Sequence, residues 1–132
     1  MITYKYKLYS SKKNKHLNKM LDEACFVWNH ALALQKRYYT LFKKYIPCNT
    51  LKKHFAKRIT RTYLHSQTVQ EIIERLDIAY KRFFKRIAKR PPKFKRRADF
   101  ESFAFKQGGF ILNGNTFRIN SINTTFKFFL SR

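Results

Sequence analysis

The sequence predicts an α+β fold: a small, mostly antiparallel β-barrel, wedge-like, formed by an N-terminal strand and the C-terminal strands, with a three-helix lobe inserted between them. Three observations predict it. Residues 2–9, ITYKYKLY, alternate apolar and polar side chains with a period of two, the pattern of a half-buried strand. From Leu17 to Ile87 the apolar period lengthens to three and four, the pattern of helices. After Pro91-Pro92 it returns to two. An opening strand separated from the others by helices lacks a partner edge, and so do the closing strands, so pairing the two ends of the chain in one barrel satisfies both. The expected divisions are residues 1–10 for the first barrel strand, 11–92 for the helical lobe and 93–132 for the remaining strands.

In the opening strand Ile2, Tyr4, Tyr6 and Leu8 share one face, and Thr3, Lys5, Lys7 and Tyr9 share the other. Ser10, Ser11 and Asn14 supply turn and cap side chains. A long helix follows, with Leu17, Met20, Leu21, Ala24, Val27, Trp28, Ala31, Leu32, Gln35, Tyr38 and Phe42 at spacings of three and four, closed by Pro47. Asn49 or Thr50 is placed to cap a shorter helix on which Leu51, Phe55 and Ile59 recur every four residues, with Lys52, Lys53, Lys57, Arg58 and Arg61 on its other faces. Thr68 and Glu71 stand at capping-box spacing ahead of a third helix. Its stripe runs through Val69, Ile72, Ile73, Leu76, Tyr80, Phe83, Phe84 and Ile87, and Pro91-Pro92 ends it. The aromatic residues of this stripe are assigned to the core. Beyond it, Glu101, Phe103 and Phe105 alternate with Ser102, Ala104 and Lys106, and Gln107-Gly108-Gly109 turns the chain into a second strand. Asn113-Gly114 marks a type I′ hairpin, and Phe126, Phe128 and Leu130 alternate in a last strand.

Thirty Lys and Arg stand against seven Asp and Glu, a formal charge of +23 over 132 residues. Solubility needs a net magnitude of only about 2 to 8 on a small domain, and the surplus weakens the compact state by self-repulsion until a polyanion neutralises it. Residues 79–97, AYKRFFKRIAKRPPKFKRR, hold ten Lys or Arg and no acid. On a helix Lys81, Arg82, Lys85, Arg86, Lys89 and Arg90 would recur at i, i+4, each like-charged pair costing roughly 0.2–0.5 kcal/mol. A phosphate backbone converts that repulsion into attraction. These six, with Lys93, Lys95, Arg96 and Arg97, are the candidate phosphate contacts, and Lys52, Lys53, Lys57 and Arg58 form a second row. No apolar run reaches the roughly 20 residues of a membrane span, so no membrane partner is expected. Cys25 and Cys48, without a CxxC pair or a signal peptide, point to a reducing cytoplasm and no disulfide.

Catalytic and metal chemistry finds no constellation. Glu71 with Arg75 and Asp77 with Lys81 have the acid-before-base i, i+4 order that supports a helix. Asp22 and Glu23 fall in the first helix, and Asp99 and Glu101 flank a strand, so no carboxylates converge for two-metal phosphoryl transfer. His16, His30, His54 and His65 are scattered, neither cysteine has a ligand-spaced neighbour, and three glycines form no phosphate loop. Tyr4, Tyr6 and Tyr9 lack the His-hydrophobe-His motif that a tyrosine nucleophile would need. No metal and no cofactor are expected. Asn29 and His30 admit two readings, contact with nucleic acid or packing within the helix.

The segments YKYKLY, ACFVWNHALALQKRYY, SQTVQEIIERLDIAYKRFFKR, PPKFKRR, ESFAFKQGGFILNGNTFRI and FKFFLSR occur in the order seen in the N-terminal part of the insertion-sequence OrfB transposase family, the TnpB-type RNA-guided nucleases. The resemblance covers essentially the whole chain. Its most specific pieces are Asn29-His30-Ala31-Leu32 after FVW, Ala79-Tyr80 with Phe83-Phe84, and Pro92-Lys93-Phe94-Lys95 leading into Ser102-Phe103. It is looser from Thr40 to Thr62, and Asn123 stands where members often carry Gly, a position Asn tolerates because it enters the left-handed region readily. The resemblance implies a wedge-type barrel interrupted by a helical recognition lobe, which grips a guide RNA, its heteroduplex with target DNA and a short transposon-adjacent motif. It also implies that the family's RuvC-like nuclease domain and zinc ribbon belong after FKFFLSR. The expectation is therefore a chain that binds guide-type RNA, DNA or both and does not cleave by itself; the alternative is a truncated transposase remnant without an independent function.

Overall fold

The apolar stripe that begins at Leu17 folds as one uninterrupted helix of 28 residues, α1 (Lys15–Phe42), with Met20, Ala24, Val27, Trp28, Ala31, Leu32 and Gln35 on its buried face. Ser11 leads into it by accepting the Lys13 N–H at 3.2 Å, capping a short 3-10 turn, Lys12–Asn14. The computed structural model describes residues 5–9, 11–58, 64–105 and 110–129. Expectations that fall on Ile2, Thr3, Tyr4, Ser10, the Arg58 side chain, Ile59, Arg61, Lys106, Gln107, Gly108, Gly109 and Leu130 lie outside the described residues.

Helix α1 stops at Phe42, ahead of Pro47, because Lys43 turns left-handed (φ 56°) and its N–H closes on the Tyr39 carbonyl at 2.8 Å. Pro47 instead opens α2 (Cys48–Arg58): its carbonyl accepts the N–H groups of Thr50 and Leu51 at 3.0 and 3.2 Å, so neither Asn49 nor Thr50 is the cap. The third helix, α3 (Ser66–Phe84), is capped by His65, whose ring accepts the Gln67 N–H at 3.2 Å. The helix thus begins before Thr68. That residue is fully buried within it, and Glu71 pairs with Arg75 at 3.0 Å, so the expected capping box does not form.

At its other end α3 terminates at Phe84, well short of Pro91. The Ile87 N–H bonds to the Arg82 carbonyl at 2.9 Å and the Arg86 N–H to the Phe83 carbonyl at 3.0 Å, with Arg86 left-handed at φ 61°. This is a Schellman stop. Lys85, Arg86, Lys89 and Arg90 therefore leave the helix, and the expected i, i+4 ladder of six cations is not built. Repulsion within such a ladder is unopposed there, because Tyr80 is the last buried residue of the stripe and Ile87 is 62% exposed.

Leu51 and Phe55 of α2 and Leu64 join the buried faces of α1 and α3 in one core, which continues into Phe100, Ile119 and Phe126. Two polar ties fix the helical lobe: the Tyr45 hydroxyl donates to Asp77 at 2.6 Å, and Lys52 pairs with Glu74 at 2.5 Å.

The sheet has three antiparallel strands in the order β1 (Phe110–Asn113), β2 (Thr116–Ile119), β3 (Thr124–Lys127). Asn113 pairs with Thr116, so the hairpin loop is Gly114-Asn115, one residue later than expected. Gly114 has φ 60° and Asn115 is not positive, which fits a type II′ turn in place of type I′. Asn123 takes the left-handed conformation expected of it (φ 50°, ψ 43°), and its side chain accepts from Arg118. The two ends of the chain do meet. Leu8 bridges Phe128, with Tyr9 N–H to the Lys127 carbonyl at 3.1 Å and Phe129 N–H to the Lys7 carbonyl at 2.7 Å.

The sheet does not close into a barrel. Among the described residues, the N-terminal segment contributes a single bridge, and 101–105 forms no strand. Phe103 and Phe105 pack ring to ring at 5.8 Å, and Phe105 packs on Phe110 at 5.5 Å, so this segment meets β1 through side chains. Strand β1 is exposed at all four positions.

A non-glycine residue in the left-handed region costs roughly 1–2 kcal/mol. Arg86→Gly is expected to raise the unfolding free energy by about 1 kcal/mol in chemical denaturation, whereas Arg86→Ala, which keeps the Cβ, gives no such gain.

Candidate nucleic-acid interface

Residues 91–96 form no helix or strand, so their backbone polar groups require partners from elsewhere. Helix α1 supplies them at Lys93 and Lys95. Asn29 accepts the Lys95 N–H through Oδ1 and donates through Nδ2 to the Lys95 carbonyl, both at 2.8 Å. The adjacent Trp28 donates its indole N–H to the Lys93 carbonyl at 2.9 Å, and one turn of helix earlier the Cys25 thiol donates to the Lys95 carbonyl at 3.4 Å. Gln35 repeats the device on the α1–α2 loop: its amide donates to the Ile46 carbonyl and its oxygen accepts the Ile46 N–H, both at 2.9 Å. Burial pushes the Cys25 thiol above its ordinary pKa, which keeps it a donor. Asn29 thus has a holding role within the fold.

His30 is packed as well. Its ring stacks on Phe26 at 5.3 Å and on His54 at 6.1 Å, and meets the edge of Phe55 at 5.4 Å. Burial, with the neighbouring His54, holds its pKa below the ordinary histidine value.

The candidate cations divide into two groups. In the first, the charge is engaged inside the chain. Lys52 pairs with Glu74, Lys81 with Asp77 at 2.9 Å, Arg96 with Asp99 at 3.0 Å, and Arg97 with Asp22. Arg97 also donates to the carbonyls of Asn18 and Phe100, both at 3.2 Å, strapping its segment to the start of α1. The Lys95 ammonium lies 4.3 Å from the Trp28 ring centroid and 5.5 Å from that of Phe100.

In the second group Arg82, Lys85, Arg86, Lys89, Arg90 and Lys93 are exposed without an acidic partner among the described residues, and so are Lys53 and Lys57 on α2. The first six follow one another along the chain from the last turn of α3 to the Trp28–Asn29 clasp. The side chain of Arg58 lies outside the description.

Sequence reasoning missed a further feature. Phe42 and Phe84, placed in the core by periodicity, are 57% and 55% exposed. Phe84, with Tyr39 and the lysines Lys36, Lys43 and Lys44, lines a groove between the C-terminal halves of α1 and α3. A smaller cleft, with Lys13 and Lys127 in its lining, lies where the sheet meets the start of α1. Among the described residues no three His, Cys, Asp or Glu side chains converge on a metal-sized site, and no helix is long and apolar enough to cross a membrane.

Asn29→Ala is expected to cost about 1–3 kcal/mol in denaturant unfolding, since it orphans both backbone groups of Lys95. The His30 shift gives a second expectation. A histidine whose folded pKa is depressed binds its proton more readily in the unfolded chain, so stability falls as pH drops through the ordinary histidine pKa of about 6.5 toward the folded value. Unfolding free energies measured between pH 8 and pH 5 should show this slope, and His30→Gln should flatten it.

Residues 1–44 match a helix-turn-helix domain family of the OrfB/IS605 kind. InsQ of Escherichia coli (strain K12), provisionally named as an RNA-guided DNA endonuclease, is 36% identical over 92 aligned residues, which cover 64% of this chain and 23% of that protein. The chain thus spans about a quarter of the length of that relative. Both matches make this chain similar, over part of its length, to OrfB/TnpB-type sequence.

Proposed function

We propose that this chain is a nucleic-acid-binding part of an OrfB/TnpB-type protein, which grips guide-type RNA, DNA or both through phosphates and does not itself cut them. The observation that carries this reading is the run of cations without an acidic partner among the described residues, Arg82, Lys85, Arg86, Lys89, Arg90 and Lys93, which leads from the end of α3 to the point where Trp28 and Asn29 tether Lys93 and Lys95 to α1. Fixed charge of one sign beside a rigid scaffold is pre-organised for a polyanion, and an internal acid would have to be displaced from Lys52, Lys81, Arg96 or Arg97 before they could contribute equally. Lys53 and Lys57 on α2 are the second row.

The relative's name favours RNA as one partner, and the helix-turn-helix match favours DNA. The matched range ends before α2 and among its described residues holds one α-helix, α1, so the proposal rests on charge and not on a recognition helix seated in a major groove. On this reading residues 11–92 are the gripping lobe, and residues 1–10 with 93–132 are the sheet platform behind it. Cleavage is not assigned because the acids of α3 serve the fold: Glu71 holds Arg75, Glu74 holds Lys52, and Asp77 holds Lys81 and Tyr45.

Each phosphate neutralised contributes about −0.9 to the log-log salt slope on duplex DNA and about −0.7 on single strands. The triple variant Lys85→Glu/Arg86→Glu/Lys89→Glu is expected to weaken binding and flatten that slope by about two to three units, with an unchanged melting temperature because all three side chains are exposed. Salt titrations with RNA and DNA oligonucleotides measure it. An unchanged slope removes this segment from the interface.

A further inference from the structure

The groove between α1 and α3 has a volume of about 630 Å³, in the range of roughly 300–1,000 Å³ typical of small-molecule sites. Its lining is aromatic to an unusual degree: Tyr39, Tyr45, Tyr80, Phe83 and Phe84 all contribute, with Pro91 beside them. These rings are held in place. The Tyr45 hydroxyl is committed to Asp77 at 2.6 Å, and Phe84 meets the Tyr45 ring at 5.4 Å in a nearly perpendicular arrangement of 89°. Tyr39 and Phe84 nevertheless remain 57% and 55% exposed, so each leaves ring surface uncovered.

Every charged side chain in the lining is a cation: Lys36, Lys43 and Lys44. The Lys43 ammonium sits 5.4 Å from the centroid of the Tyr39 ring, and Lys36 reaches the Phe94 ring at 4.7 Å. Flat rings bordered by ammonium groups are complementary to a ligand that combines a flat aromatic system with negative charge.

We propose that this groove takes an unpaired base of a single-stranded nucleic acid, stacked on Tyr39 and Phe84, with the flanking phosphates on Lys36, Lys43 and Lys44. The inference rests on the nucleic-acid reading above and names what part of the ligand the groove holds. Continuity supports it. Pro91 borders the groove and lies between Arg90 and Lys93, so a strand whose phosphates follow the unpaired cations passes the groove mouth. Other occupants fit less well. A second copy of the chain brings another +23 charges to a cationic rim. An uncharged apolar peptide gains nothing from three lysines, and an acidic peptide satisfies the lysines but leaves the rings bare.

The test uses the full chain with a ten-residue thymidylate strand carrying one central 2-aminopurine, whose fluorescence falls when it stacks, and with a duplex of the same length. The proposal expects quenching on binding. It also expects Tyr39→Leu/Phe84→Leu to weaken single-strand binding roughly 10- to 100-fold while duplex affinity and salt slope hold. Tyr39→Phe keeps the ring and keeps the quench. Both leucine positions are exposed, so the melting temperature is expected to hold and reports any exception.

If the wild type binds the strand with no quench, or the double leucine variant binds it as tightly as the wild type, this inference falls and the proposed function stands. If the wild type binds neither strand nor duplex, both fall. If a polyglutamate peptide binds with ring dependence and displaces the strand at equal affinity, the groove belongs to an acidic protein segment and the inference is overturned.

Discussion

The structure depends on side-chain amides of one helix doing the hydrogen bonding that irregular backbone cannot do for itself. Asn29 and Gln35 each clasp both polar groups of a distant residue, Lys95 and Ile46, in the manner of a neighbouring strand. Gln35 is only 2% exposed, so its bonds are made away from water, where an unmade bond carries its full desolvation cost, while Asn29 and Lys95 are half-buried. Through these two residues α1 fixes the loop that launches α2 and the segment that carries the basic run. Trp28 adds an indole bond to Lys93 and a ring face for the Lys95 ammonium, so one turn of α1 sets both the path and part of the charge placement of residues 93–95.

That placement explains how so basic a chain folds at all. Each of Asp22, Glu71, Glu74, Asp77 and Asp99 is matched to a cation, and most of these pairs bridge elements or stabilise helix ends. Partly exposed pairs of this kind are each worth little, up to about 1 kcal/mol, but they decide which cations are left over. Of the remainder, Lys85, Arg86, Lys89, Arg90 and Lys93 lie where the backbone has already left the helix, so their mutual repulsion falls on a segment whose regular structure is not at stake. The same geometry leaves aromatic rings uncovered at the end of α3 and brings them beside three lysines of α1 and its C-terminal loop.

The three helices were legible because each is set by an apolar face that repeats locally, the late hairpin because Asn113-Gly114 marks a turn, and the meeting of the chain ends because both left strand edges without partners. Helix ends were less legible. Lys43 and Arg86 take left-handed conformations that glycine would have signalled, and a basic residue in either position looks like continued helix. The clasp could not be read either: nothing in the spacing of Asn29 says that its partner lies 66 residues on. Barrel closure was inferred from unpartnered edges, yet residues 101–105 form no strand and meet β1 through the Phe105 ring. The cations of residues 81–97 were all visible, but which were engaged internally depended on where seven acids came to lie.

The basic segment is a fixed part of the scaffold, anchored at Lys95. Native-state hydrogen exchange at the Lys95 amide tests it most directly, because that N–H has the Asn29 side chain as its acceptor. Protection comparable to that of the buried helical amides of α1 is expected, lost only in openings close to global unfolding. Exchange at the rate of an open loop, while α1 stays protected, would contradict it and detach the charged segment from the helix that is said to hold it.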